Sequence, residues 1–162
     1  GDLGLSKGFF NIARMYEKGN VVPVDLEKAV SFYKIAVEMQ DLEAMTNLGV
    51  AYVTGQGVDK DEKRGFSLFC KAASLGDVVG LENLATAFSN GVGIPRDQVF
   101  SRKLMEFVET KKREYPVSHG EFRLISESNS TREIELRKEV VSFFERAIRE
   151  HGFGTALQIC GV

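Results

Sequence analysis

The feature that most constrains this sequence is an internal repeat of 36 residues. When the chain is shifted by that distance against itself, aromatic residues, glycines and acids coincide without a gap across three copies. The matched sets are Tyr16, Tyr52 and Phe88; Gly19, Gly55 and Gly91; Val22, Val58 and Ile94; and Asp25, Asp61 and Asp97. Self-similarity at this period indicates a stack of like units, each of which buries its apolar face against its neighbours.

Each unit predicts two helices joined by a corner that contains glycine. In the second copy, Ala44, Leu48, Ala51 and Tyr52 recur at helical spacing, and their counterparts do the same in the first and third copies. The corner glycine suits the end of the first helix because it adopts the left-handed conformation at little cost. The corner aspartate suits the N-cap of the second helix, where its carboxylate accepts free backbone N–H groups. We therefore predict an all-α fold of antiparallel helix pairs.

The whole chain is predicted to form one domain of about four repeats and a partial fifth. The fourth copy is degenerate, and within it the S-x-x-E pattern of Ser130 and Glu133 predicts the start of a long helix. The predicted repeats cover residues 4–39, 40–75, 76–114, 115–151 and, as the partial copy, 152–162.

One stretch of the second copy resembles a known family. The string A-x-x-x-L-G-x-x-Y-x-x-G-x-G-V-x-x-D is fully present from Ala44 to Asp61 and is similar to the Sel1-like repeat, a longer relative of the tetratricopeptide repeat. Lys71-Ala72-Ala73 and Gly76-Asp77 match the same pattern. The resemblance implies a right-handed α-solenoid. It also implies an adaptor or scaffold, of the kind found in bacterial envelope, secretion and host-interaction systems or in endoplasmic-reticulum quality control.

Composition and charge narrow the classes of partner. With 21 basic and 23 acidic residues, the net charge of −2 gives no attraction to polyanions, so we expect no nucleic-acid partner. No apolar run approaches the roughly 18 residues that span a bilayer, so we expect no direct membrane insertion. The compartment stays open between a periplasmic or secreted bacterial location and the cytoplasm, and the sequence does not define an oligomeric state.

The two cysteines are expected to remain apart. Cys70 shares its repeat position with Lys34 and Glu106, which predicts exposure to solvent. Cys160 shares the position of Leu48, which predicts burial. Their spacing fits no metal site, and two cysteines are too few for a disulfide framework, so we expect no bond between them.

No catalytic, cofactor or metal site is predicted, and the chain is not expected to be an enzyme. His119 and His151 have no acid, nucleophile or further ligand at a catalytic spacing, which favours surface or capping roles. Gly55-Gln56-Gly57 and Gly91-Val92-Gly93 lack the third glycine and the preceding strand of a dinucleotide-binding motif, so they are interpreted as helix corners.

A solenoid offers an extended concave surface, lined mainly by the first helix of each repeat. One asparagine recurs there in every copy, and its amide can either grip a peptide backbone or bond to an adjacent helix or loop. One turn further on, the residue varies between copies, as partner contacts do and as an idle surface also does. The candidate protein-binding residues are Asn11, Arg14, Asn47, Val50, Asn83 and Thr86.

The leading hypothesis is a non-catalytic module that binds another protein or a peptide on its concave face. One alternative is a structural spacer in an envelope or secretion-type assembly. Another is a segment that recruits substrate for a larger protein, including bacterial effector or toxin-immunity roles. The irregular segment 115–130 is either a recognition element or a decayed repeat.

Overall fold

The computed structural model describes residues 2–115 and 127–151, and within these ranges it contains seven α-helices and no strand. The helices are α1 (Asp2–Lys18), α2 (Leu26–Glu38), α3 (Leu42–Thr54), α4 (Glu62–Ser74), α5 (Val78–Asn90), α6 (Gln98–Glu114) and α7 (Glu127–His151). The first six form three pairs, and each of them packs against the next along the chain. This confirms the predicted all-α repeat solenoid.

The corners between paired helices are built as the sequence predicts. Gly55 and Gly91 are the C-caps of α3 and α5, and both have a left-handed φ of 73°. Asp25, Asp61 and Asp97 are the N-caps of α2, α4 and α6. Each carboxylate accepts a hydrogen bond from the backbone N–H three residues later, at 3.0, 3.0 and 2.8 Å. Local chemistry therefore fixes where each second helix begins.

The second glycine of a corner sets the distance between neighbouring pairs. A Cβ atom at Gly57 would lie 2.2 Å from the carbonyl oxygen of Leu26, and one at Gly93 would lie 2.5 Å from that of Glu62. Each corner is thus in direct contact with the start of the second helix in the preceding pair. This confirms that the G-x-G elements are corners, and it shows why their second position is glycine in copies two and three.

α7 lies antiparallel to α6 and also reaches back to α4. The Phe107 and Phe143 rings stack with centroids 3.9 Å apart, and Lys103 Nζ pairs with Glu150 Oε2 at 2.6 Å. Val140 and Phe144 are 0% and 1% exposed in a core shared with α4, α5 and α6. α7 therefore forms part of the hydrophobic core at this end of the described chain.

The sequence anticipated α7 only in part. The helix begins at Glu127, so the predicted start at Ser130 is wrong by about one turn. Residues 116–126 and 152–162 lie outside the described part of the chain. The division into a degenerate repeat at 115–151 and a partial repeat at 152–162 therefore stays a prediction.

Cys70 corrects one expectation from the repeat pattern. It is 1% exposed, whereas its counterparts Lys34 and Glu106 are exposed. The difference arises because α7 packs against α4 and their side chains share one core. Cys70 is also disulfide-bonded, so the prediction of an exposed, unpaired thiol is wrong. Cys160, the other cysteine of the chain, lies outside the described residues.

Candidate functional site

A small cleft of about 40 Å³, open to solvent, lies where α1, α2 and α3 meet. One side is apolar and the other carries charged and amide groups. Two of the six candidate binding residues, Asn47 and Val50, line it, and a third, Arg14, borders it through an ion pair with Glu17. The lining residues are Glu17, Leu26, Ala29, Val30, Tyr33, Asn47, Val50, Ala51 and Gln56. We call this region the α1–α3 cleft.

Polar groups from three helices converge at the base of the α1–α3 cleft. Arg14 Nη1 pairs with Glu17 Oε2 at 2.8 Å on α1. The hydroxyl of Tyr33, on α2, interacts with both of these side chains. From α3, Asn47 Nδ2 donates a hydrogen bond to Tyr33 Oη at 3.4 Å. The amide carbonyl of Asn47, the carboxylate of Glu17 and the guanidinium of Arg14 retain further hydrogen-bonding capacity.

Tyr33 joins the polar and apolar sides of the cleft. Its side chain is only 1% exposed. Burial raises the pKa of the Tyr33 hydroxyl to about 12, and the negative charge of Glu17 acts in the same direction. The hydroxyl is therefore protonated at neutral pH, where it acts as a hydrogen-bonding group and not as an acid or base.

Replacing Tyr33 with phenylalanine tests this assignment. The alkaline titration of tyrosinate absorbance should lose its component near pH 12. Because the pKa is higher in the folded state than the usual 10.0, the wild-type protein should lose stability as pH rises from about 10 through 12. This part of the loss should be absent in Tyr33→Phe. At neutral pH the free energy of unfolding of the variant should be lower by about 1 kcal/mol, the typical net contribution of a hydrogen bond to stability. An unchanged titration curve would contradict the assignment.

The repeated asparagines do not form a uniform row. Asn47 bonds to the adjacent helix, which is one of the two interpretations left open by the sequence. Asn11 is exposed and Asn83 is half-buried, and neither lines the α1–α3 cleft. The bond made by Asn47 has no counterpart one repeat later, because Phe69 occupies the position of Tyr33 and has no hydroxyl.

The variable positions also differ in their surroundings. Val50 is 40% exposed at the edge of the cleft. Thr86 is exposed, and its hydroxyl donates to the carbonyl oxygen of Glu82 in its own helix at 3.1 Å. The structure thus brings Arg14, Asn47 and Val50 together and leaves the other three candidates outside the cleft.

Sequence reasoning missed Glu17 and Tyr33. The repeat pattern places Tyr33 in the apolar stripe of the second helix, which is correct for its ring and overlooks its hydroxyl. A usable signal is present in the sequence: Glu17 occupies the position of Val53 and Ser89, and Tyr33 that of Phe69. A charge and a hydroxyl that depart from the repeat in the same copy indicate a feature specific to that copy.

Elsewhere, the structure creates a contact that the spacing did not reveal. His151 Nε2 lies 2.8 Å from Asp97 Oδ2, and the His151 ring stacks on Phe100 at 4.3 Å between centroids. Hydrogen bonding to His151 lowers the pKa of Asp97, which also caps α6. The contact joins the end of α7 to the start of α6. His119 lies outside the described residues.

The described residues provide neither a cluster of metal ligands nor a membrane-spanning helix. No group of three or more His, Cys, Asp or Glu side chains in residues 2–115 and 127–151 is placed to hold a metal ion. Within the same ranges, no helix combines the length and apolarity needed to cross a bilayer.

Comparison with known proteins agrees with this architecture. The model of the Sel1 repeat matches residues 10–41, 42–77 and 79–106. A Sel1 repeat protein from Oxalobacter formigenes is 28% identical, with a TM-score of 0.58 over 68% of this chain and 83% of that protein. A protective antigen of uropathogenic Escherichia coli strains, with an SLR fold, is 19% identical with a TM-score of 0.37 over 96% of this chain and 41% of its own. No curated protein sequence matches.

Proposed function

The chain belongs to the Sel1 repeat family, and from this premise we propose that it is a non-catalytic module that binds a partner protein or peptide in the α1–α3 cleft. Sel1 repeats generally act as protein-interaction modules. Within this chain, the observation that carries the proposal is the convergence of Arg14, Glu17, Tyr33 and Asn47 beside an apolar wall.

The cleft has the chemistry of a peptide site. The cleft is small, about 40 Å³, so an extended segment would lie across it and insert at most one small side chain. Leu26, Val30 and Val50 offer an apolar surface for a small aliphatic side chain. Asn47 can pair with a peptide N–H through its carbonyl, as Glu17 can through its carboxylate. Arg14 adds a charged donor for a peptide carbonyl or carboxylate.

The hydroxyl of Tyr33 serves the cleft as a hydrogen-bonding group. The hydroxyl of Tyr33 has a pKa of about 12 and is held by neighbouring side chains, so it offers no base at neutral pH. Glu17 is engaged by Arg14 at 2.8 Å. These groups are arranged to orient a ligand and to satisfy its backbone.

The test combines peptide selection with a paired substitution. Peptides selected from a random display library against the full chain should bind the wild-type protein. The double variant Arg14→Glu, Asn47→Asp should weaken them by about tenfold or more, equivalent to about 1.4 kcal/mol, because it reverses one charge and adds another at the base of the cleft. Isothermal titration calorimetry measures the affinity.

Two controls separate loss of binding from loss of fold. Circular dichroism should show an unchanged helical content in the double variant. The matched variant Lys34→Glu, Lys63→Glu, which changes two exposed charges outside the cleft, should bind as wild type does. Retained affinity in a folded Arg14→Glu, Asn47→Asp protein would contradict the proposal and favour the spacer hypothesis.

A further inference from the structure

Asp41 and Asp77 are equivalent N-caps in consecutive repeats, and their charged surroundings differ. Each caps the first helix of its repeat. The carboxylate accepts a hydrogen bond from the backbone N–H three residues later, at 3.0 Å for Asp41 and 2.8 Å for Asp77. Asp41 is 4% exposed and pairs with Lys7 of α1, whose Nζ lies 3.1 Å from Asp41 Oδ2. The charge of Asp41 therefore has a cation beside it.

Asp77 has a carboxylate where its counterpart has that cation. The residue 36 positions after Lys7 is Glu43, so a negative charge replaces a positive one at the junction of the second and third repeats. Glu43 is itself paired with Lys7 at 2.8 Å, and its charge opposes ionisation of Asp77. α4 contributes the uncharged residues Ala72 and Ala73, which lie against the start of α5. The preceding repeat therefore gives Asp77 no compensation for its charge.

A cation acts on Asp77 from α7. The positive charge of Arg137 favours the ionised carboxylate, although Arg137 Nη2 is also paired with Glu133 Oε1 at 2.5 Å. α7 lies directly against the turn that precedes Asp77, since a Cβ at Gly76 would lie 2.8 Å from the Cα of Arg137. The charge state of Asp77 is therefore coupled to the position of α7.

The balance of these effects disfavours the ionised form of Asp77. Burial raises the pKa of the Asp77 carboxyl to about 6, and the charge of Glu43 acts in the same direction. The charge of Arg137 and the backbone N–H groups at the start of α5 act against this shift. On α6, Lys112 is engaged by Glu82 of α5 at 2.8 Å. Asp77 therefore changes its charge close to neutral pH.

We propose that Asp77, Glu43 and Arg137 form a pH-sensitive contact that controls the packing of α7 on the turn between α4 and α5. Protonation of the Asp77 carboxyl removes a poorly compensated charge and favours the packed state. Ionisation favours opening of α7, because water then reaches the carboxylate. The packed state binds the proton more tightly than the open state. Its added stability is therefore fully present below the ordinary pKa of 3.8 and is lost as pH rises through about 6.

The variant Asp77→Asn tests the proposal, since asparagine caps a helix as aspartate does and carries no charge. Hydrogen exchange of the full chain, corrected for the intrinsic rate at each pH, measures the opening of α7. The ratio of opening in wild type to opening in Asp77→Asn should rise about tenfold in residues 131–151 between about pH 4.5 and about pH 7.5. This ratio cancels other pH-dependent contacts of α7, such as that of His151 with Asp97.

Asp41→Asn is the matched control, for which the expected change in stability has the opposite sign. At about pH 7.5 the melting temperature of Asp77→Asn should rise, because a poorly compensated charge is removed. That of Asp41→Asn should fall, because Lys7 loses one of its partners. At about pH 4 Asp77→Asn should melt as wild type does, since both side chains are then neutral.

The titration itself can be followed by carbon-13 NMR of protein labelled at its aspartate and glutamate carboxyl groups, in which the signal missing from Asp77→Asn belongs to Asp77. Its midpoint should lie near pH 6, and Glu43→Gln should lower this midpoint whereas Arg137→Gln should raise it. A midpoint near 3.8, or a lower melting temperature for Asp77→Asn at about pH 7.5, would overturn the proposal. A pH-dependent ratio of opening in α5 without one in α7 would overturn it as well.

Discussion

Replacing Gly57 with alanine should lower the free energy of unfolding by about 4 kcal/mol, the sum of a left-handed backbone cost and an overpacking cost. The new Cβ would lie 2.2 Å from the carbonyl oxygen of Leu26 and 2.4 Å from its carbonyl carbon, and these backbone atoms cannot turn aside as a side chain can. The residue also has a φ of 71°, which costs an L-residue about 1 kcal/mol or more. Relief of the contact requires the second helix pair to move away from the first, which loses packing along their whole interface.

Gly55→Ala is the matched control for this prediction. It has nearly the same φ, 73°, and so pays the same conformational cost. Its Cβ would lie 3.3 Å from the Lys60 side chain, so little packing is disturbed. Urea denaturation should show a loss of about 1 kcal/mol for Gly55→Ala and a much larger loss for Gly57→Ala. Equal losses would mean that the corner acts only through its conformation and does not set the distance between pairs.

Replacing Gly76 with alanine lowers the free energy of unfolding by about 3 kcal/mol and loosens α7, because it combines backbone strain with displacement of α7 from α4. Gly76 has a φ of 90°, and a Cβ there would lie 2.7, 2.8 and 2.9 Å from the Cβ, Cα and carbonyl oxygen of Arg137. Hydrogen exchange should therefore become faster in residues 131–151 than in α2 and α3.

Gln40 is the natural control, because it occupies the same repeat position with a φ of 61°. Gln40→Gly should raise stability by as much as about 1 kcal/mol, since it relieves left-handed strain away from α7. If hydrogen exchange in α7 were slower or unchanged in Gly76→Ala, the prediction would be wrong. Gly76 would then not be needed for the close packing of α7 on α4.

The helix pairs could be predicted from the sequence because their determinants are local. The apolar stripe that contains Leu48 and Tyr52 indicates a helix. Gly55 indicates where that helix ends, and Asp61 indicates where the next one begins. Each of these residues acts on backbone groups a few positions away. Repetition at 36 residues then shows that like units are adjacent, because identical apolar faces need the same neighbour each time.

The candidate site could be predicted in outline and was completed only by the fold. Asn47 and Val50 could be found because they lie on the predicted groove-facing side of a first helix. Glu17 and Tyr33 were missed because their role depends on contacts between helices. These contacts link side chains of α1, α2 and α3 in one copy of the repeat only. They therefore produce no pattern that recurs every 36 residues.

What the sequence determined by itself was therefore the repeating unit, its corners and its order along the chain. Only the tertiary structure decided where α7 packs, why Cys70 is buried while Lys34 is exposed, and which polar groups meet beside Tyr33. The physical reason is the distance along the chain over which the determining contacts act. Periodicity encodes contacts within a unit and with its neighbour, whereas α7 and the α1–α3 cleft depend on the shapes of surfaces that exist only after the pairs have stacked.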